Sequence, residues 1–216
     1  MTLELDHVFC MVDPGGGWAS RLEAGGWILD VGTAHPGQGT RNRRLLWSHR
    51  FLEFLWVEDR GEAAAHPLRL DRRADWRETG ASPFGFGLRG RLPEEDLPQF
   101  WLYEPPYAPG ARLWIHRGNE EDPGQPFLFV MEAGPGGLEA FWPSRRFREA
   151  TALLAHRHPA APRALAVGSH SEPLPWLQTL DLPVTQRREP IPRLEIHFPD
   201  PGVPSVTLED LLWLGP

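Results

Sequence analysis

The sequence contains no lysine, and all 22 of its Lys and Arg residues are arginine. Schiff-base catalysis, a lysine general base and a P-loop each need a lysine amine and are excluded at once. A single cysteine, Cys10, rules out an intrachain disulfide, and its apolar run with Val8 and Val12 suits a buried thiol in a reducing compartment. No apolar stretch approaches the roughly 20 residues of a membrane-spanning helix. The opening MTLELDHVFCMV has no basic segment and carries Glu4 and Asp6, which argues against a secretory leader. The expectation is a cytoplasmic protein. Asparagine occurs only at Asn42 and Asn119, and there is no GxSxG, CxxC, HExxH or Walker sequence.

What the chain has instead is proline, glycine and tryptophan: 24, 22 and 10 residues of 216. That many prolines keep helices short. The length supports a sizeable core without a disulfide or structural metal. A net charge of -7 with scattered arginines disfavours contact with nucleic-acid phosphates. The partners expected are a small-molecule ligand and a second copy of the chain, with no nucleic acid and no membrane.

Residues 1–60 read as strand, helix and further strands. LELDHVFCMV is an apolar strand ended by Asp13-Pro14-Gly15, and a short helix follows from Gly17 to Ala24, stopped by Gly25-Gly26. Extended chain resumes at Trp27 to Val31. A Gly- and Pro-rich loop from Gly32 to Thr40 leads to RNRRLLWS and RFLEFLWVED, two strands joined by a tight turn near Ser48. Residues 61–81 lose the apolar periodicity and form a connector with a helical turn near Asp71 to Arg77. Residues 82–142 form a second, degenerate sheet module with strands in SPFGFGLRG, ARLWIHRG and QPFLFVMEAG. Residues 143–216 open with an amphipathic helix, Pro143 to His158, followed by strand, helix and strands packing on the same core. Three stretches of similar order hint at duplication. The fold class expected is α+β, with repeated βαβββ modules forming curved mixed sheets, an incomplete barrel around a cleft.

Two residues carry the chemistry. Glu53 lies inside FLEFLWV, apolar on both faces, where an uncompensated carboxylate is costly. His7 sits on the face of the first strand shared with Leu5, Phe9 and Met11. Taken singly, each has an ordinary account: His7 as a hydrogen-bonded core histidine, Glu53 as the partner of a nearby arginine.

Taken together, the DHVFCMV strand, a helix, the GTRN loop and strand, and RFLEFLWV resemble the first βαβββ module of the vicinal oxygen chelate superfamily, most closely its glyoxalase-like branch. The resemblance covers residues 3 to 59 and extends from Pro83 to Glu132. It implies two modules curled into an incomplete barrel, with a divalent metal (Mn, Fe or Zn) held by first and last strands. By resemblance His7, Glu53 and Glu132 match metal ligands, and Glu53 and Glu132 take catalytic roles. SPFGFGLRG departs from the pattern, offering Phe84, Gly85, Phe86 and Gly87 where members with a full site carry histidine; His116 and His197 are substitutes to consider. The turn from His35 to Asn42 resembles the family's pocket-lining turn, so Thr40 and Asn42 are expected to touch substrate, with Trp47 and Trp56 as apolar walls. The activity implied is metal-dependent lyase, isomerase or dioxygenase chemistry on a small oxygenated metabolite. The alternative is a metal-free small-molecule binding protein of the same fold.

Overall fold

The computed structural model describes residues 3–15, 17–47, 50–132, 162–199 and 206–207. The expected helix from Pro143 to His158, the turn near Ser48 and most of the last expected strand lie outside them.

The first module runs β1 (Glu4–Met11), α1 (Trp18–Ala24), β2 (Thr33–His35), β3 (Thr40–Leu46) and β4 (Phe51–Val57). The second runs β5 (Phe84–Arg89), a 3₁₀ turn (Leu97–Gln99), β6 (Phe100–Tyr103), β7 (Arg112–His116), α5 (Gly118–Glu121) and β8 (Phe127–Glu132). All eight strands share one sheet in the order β2-β3-β4-β1-β5-β8-β7-β6. In each module the first strand is parallel to the last, β1 to β4 and β5 to β8, and the modules join through the antiparallel pair β1·β5. This sheet is strongly curled into a half-barrel, as the expected fold class requires.

Between the modules, the connector holds three short helices, α2 (Arg60–Ala65), α3 (Leu70–Ala74) and α4 (Trp76–Thr79), where the sequence suggested one turn. Asp59 starts α2 by accepting a hydrogen bond from the Glu62 N–H at 2.9 Å, a cap legible in the spacing Asp59-x-x-Glu62. Arg73 on α3 is buried and donates to the carbonyls of Ser82, Gln125 and Asn119. These bonds tie the connector to the second module, and desolvation lowers the Arg73 pKa to about 9.

The C-terminal part contains β9 (Ala164–Ser169), α6 (Pro175–Gln178), β10 (Val184–Arg188), β11 (Arg193–His197) and β12 (Val206–Thr207). They form a second sheet in the order β10-β9-β11-β12. Here the first strand is parallel to the strand immediately after its helix, so this unit has a different topology from the modules and is not a third copy.

The large sheet is buried on both faces, which explains why FLEFLWV is apolar throughout. On the convex face Val8, Cys10, Phe54 and Phe86 meet Trp18 and Leu22 of α1 and Val167 and Ile196 of the C-terminal sheet. On the concave face Phe9, Met11, Leu55 and Phe129 meet Ala63, Leu68 and Leu70 of the connector. Leu5 belongs to the convex cluster, not to the face of His7 as strict alternation predicts. The cause is a register shift between Leu5 and His7 against β5: two steps on β1 span one step from Leu88 to Gly87. No described helix is long and apolar enough to cross a membrane.

Candidate functional site

A cavity of about 270 Å³ opens on the concave face. Its polar wall comes from the first module: His7 on β1, His35 on β2, Asn42 and Arg44 on β3, and Glu53 on β4. The opposite wall is apolar, with Leu113 and Ile115 on β7 and Phe127, Phe129 and Met131 on β8. Pro105, Tyr107, Ala108 and Ala111, from the segment between β6 and β7, also line the cavity.

His7 and Glu53 do face a common hollow. His7 Nε2 lies 3.4 Å from Glu53 Oε2, and the imidazole stacks on Phe51 at 4.3 Å. On the other side of the ring, His7 Nδ1 is 2.8 Å from Asp6 Oδ2. A carboxylate only accepts, so this contact places the proton on Nδ1 and turns Nε2 to the cleft. Asp6 is 1% exposed, and its other oxygen accepts from Arg89 Nη1 at 3.3 Å. The adjacent side chains of Asp6 and His7 meet because of the register shift; in a regular strand they would point to opposite faces.

Glu53 is not compensated by an arginine. Arg44 stands directly across from it in register but is held by Asp30, through Nε at 2.8 Å and Nη2 at 2.6 Å. Glu53 Oε1 instead accepts a hydrogen bond from Asn42 Nδ2, while Asn42 Oδ1 accepts from the Thr33 N–H at 2.8 Å. His35 extends the network: Nε2 lies 3.5 Å from Asn42 Nδ2, and Nδ1 lies 2.9 Å from Thr40 Oγ1. Gln38 Nε2 donates to Thr40 Oγ1 at 2.7 Å, and the Tyr107 hydroxyl donates to Gln38 Oε1 at 3.0 Å. Burial lowers the His35 pKa, opposed by the Glu53 charge and aided by Arg44. Burial likewise raises that of the Tyr107 hydroxyl.

Several expected site residues lie elsewhere. Glu132 is not in the cleft: it follows cleft-facing Met131 on β8, so alternation turns it away, and its Oε2 accepts from Arg112 at 2.8 Å and from Trp114 Nε1 at 2.9 Å. Trp47 is packed in the convex core beside Trp27 and Phe198, and Trp56 packs against the same core. Neither lines the cavity. Thr40 is buried and supports His35 and Gln38 from behind. His116 packs against Phe100, and His197 lies on the C-terminal sheet beside Glu195. Residues missed in the sequence are Asp6, Arg44 and Tyr107. His35 and Gln38 carried a signal, since they fall within the turn singled out as pocket-lining.

The donor set does not fit a divalent ion. His7 and Glu53 are the only two of the three expected ligands brought together, and no group of three or more His, Cys, Asp or Glu side chains is suited to a metal among the described residues. On β5 the cleft-facing positions are glycines that the rings of β1 lean across. A Cβ at Gly87 would lie 2.3 Å from His7 Cε1, and one at Gly85 would lie 2.1 Å from Phe9 Cε1. A side chain at either position would collide with those rings, and β8 offers only Phe127, Phe129 and Met131 to the cleft.

Fold and site together define a paired-module half-barrel with a ligand-sized cleft. No family model matches the sequence, and no curated protein matches it. The chain is similar in structure to a hypothetical protein from Staphylococcus aureus, at 16% identity and a TM-score of 0.51 over 78% of this chain and 70% of that one. It is also similar to a hypothetical protein from Bacillus halodurans (14% identity, TM-score 0.41, 61% and 95% covered). A third solved structure is methylmalonyl-CoA epimerase from Mycobacterium tuberculosis (16% identity, TM-score 0.39, 62% and 89% covered). The first of these likenesses is one of fold.

Proposed function

We propose that the chain is a glyoxalase-like protein that binds one compact, mainly apolar molecule in the cleft between its modules, without a metal. The observation that carries this reading is the asymmetry of the cavity: every charged or imidazole group lining it comes from the first module, while β5 and β8 present only glycine, phenylalanine and methionine. A volume of about 270 Å³ is near the small end of ligand pockets, which start at roughly 300 Å³. A polar end fixes orientation and an apolar body supplies affinity, as such sites require.

The test is a thermal-shift screen of small apolar compounds, with and without Mn, Fe or Zn and with a chelator. The expected result is compound-dependent stabilisation unaffected by metal or chelator. A melting temperature raised by one of the metals alone would reverse the metal-free reading.

The Asp6–His7 contact favours a second reading, acid–base chemistry in the same cleft. An imidazole held by a carboxylate at Nδ1 with Nε2 turned to the ligand is the arrangement of a general base. Here Asp6→Asn would slow turnover with little effect on ligand affinity, because Asp6 acts through His7.

A further inference from the structure

We propose that the molecule bound in the cleft carries a protonated amine, held by Glu53, on a small aromatic or aliphatic body. The inference rests on reading the cleft as a small-molecule site and names the chemistry of its ligand.

Charge accounting along the polar wall leads there. Arg44 is paired with Asp30, and Arg89 is shared between Glu4 at 2.9 Å and Asp6 at 3.3 Å. Burial holds the His35 pKa below its ordinary value. Glu53, itself 8% exposed, is the carboxylate on this wall that no arginine contacts. Its two oxygens differ: Oε1 accepts from Asn42, whereas among the described residues Oε2 meets only His7 Nε2, at 3.4 Å, beyond a good hydrogen bond. With the Nδ1 proton turned to Asp6, the neutral imidazole of His7 offers Nε2 as an acceptor beside Oε2, and both face the same space. An ammonium group, which carries several N–H donors and one positive charge, satisfies both atoms and the charge together.

The remainder of the cavity suits the same ligand. Phe9, Phe127 and Phe129 line it, and the faces of aromatic rings attract cations stripped of water. A carboxylate or phosphate would instead set its charge against Glu53 in a poorly screened space. A neutral alcohol would satisfy one acceptor and leave the charge uncompensated.

The experiment is calorimetric titration of the full chain at pH 7.5 with three probes of matched size: 2-phenylethylammonium, 2-phenylethanol and 3-phenylpropanoate. The expected result is that the ammonium binds at least tenfold tighter than either other probe. Glu53→Gln should erase that preference. Comparison of the probes on the unaltered chain needs no variant, so it holds even if Glu53→Gln folds poorly. Equal or tighter binding of the alcohol or the carboxylate overturns the amine proposal alone and leaves the cleft reading standing. Binding of none of the three overturns both.

Discussion

At the residue scale, Gly87 decides where His7 can be. Its missing side chain makes room for the imidazole, and a Cβ would fall 2.3 Å from His7 Cε1. Gly87→Ala is expected to destabilise the fold by about 1 to 3 kcal/mol, as overpacking does, and to weaken any cleft ligand by displacing the ring. Urea unfolding with a ligand titration measures both. Cys10 gives a second prediction. Its side chain is fully buried and burial pushes the thiol pKa up, so it should resist a thiol reagent in the native state and react only on unfolding. The burial of Cys10 was legible in its apolar neighbours. Asp6 was not: its meeting with His7 depends on a register shift against a strand about 80 residues further on, and no local pattern announces that.

At the element scale, the strap between β6 and β7 forms one wall of the cavity. It folds through two tight turns, Ala108 N–H to Pro105 O at 3.1 Å and Ala111 N–H to Ala108 O at 3.0 Å. Tyr107 fastens it to the first module by stacking on His35 at 4.7 Å and donating to Gln38. Tyr107→Phe removes that hydrogen bond, worth about 0.5 to 1.5 kcal/mol, and should speed amide exchange in the strap and ligand association together. Unchanged exchange at residues 104–111 would show that the bond does not hold the strap. The β3–β4 hairpin was legible because two strong apolar runs flank a short break, and its register is as continuous as that pattern implies. β2 was hidden in a segment read as loop. Gly32 takes a φ of +71° and packs so close to β3 that a Cβ would lie 1.7 Å from the Asn42 carbonyl oxygen, a constraint set by the partner strand.

At the scale of the whole molecule, the two faces of the large sheet do separate work. Trp47→Phe, in the convex core, should lower the melting temperature while leaving cleft affinity unchanged within about twofold, since Trp47 does not border the cavity. Stability should also fall as pH drops. The pKa values of His35, His66 and His116 are held below the ordinary value, in each case chiefly by burial. The unfolded chain therefore binds more protons as pH falls through about 6.5, and that favours unfolding. Denaturation midpoints should be flat above pH 7.5 and decline between pH 7 and 5; a midpoint that rises over that range contradicts the burial of these rings. The sequence by itself determined the strand-rich modules and the absence of lysine chemistry, because apolar patterning and composition act over a few residues, and the resemblance of its motifs brought His7 and Glu53 together. Only the tertiary structure decided which partners those two side chains meet. Asp6 reaches His7, and Asn42 and Tyr107 reach the cleft, through strand pairing and the β6–β7 strap, while Glu132, Trp47 and Trp56 are turned to the other face, and those outcomes depend on register between segments far apart in the chain.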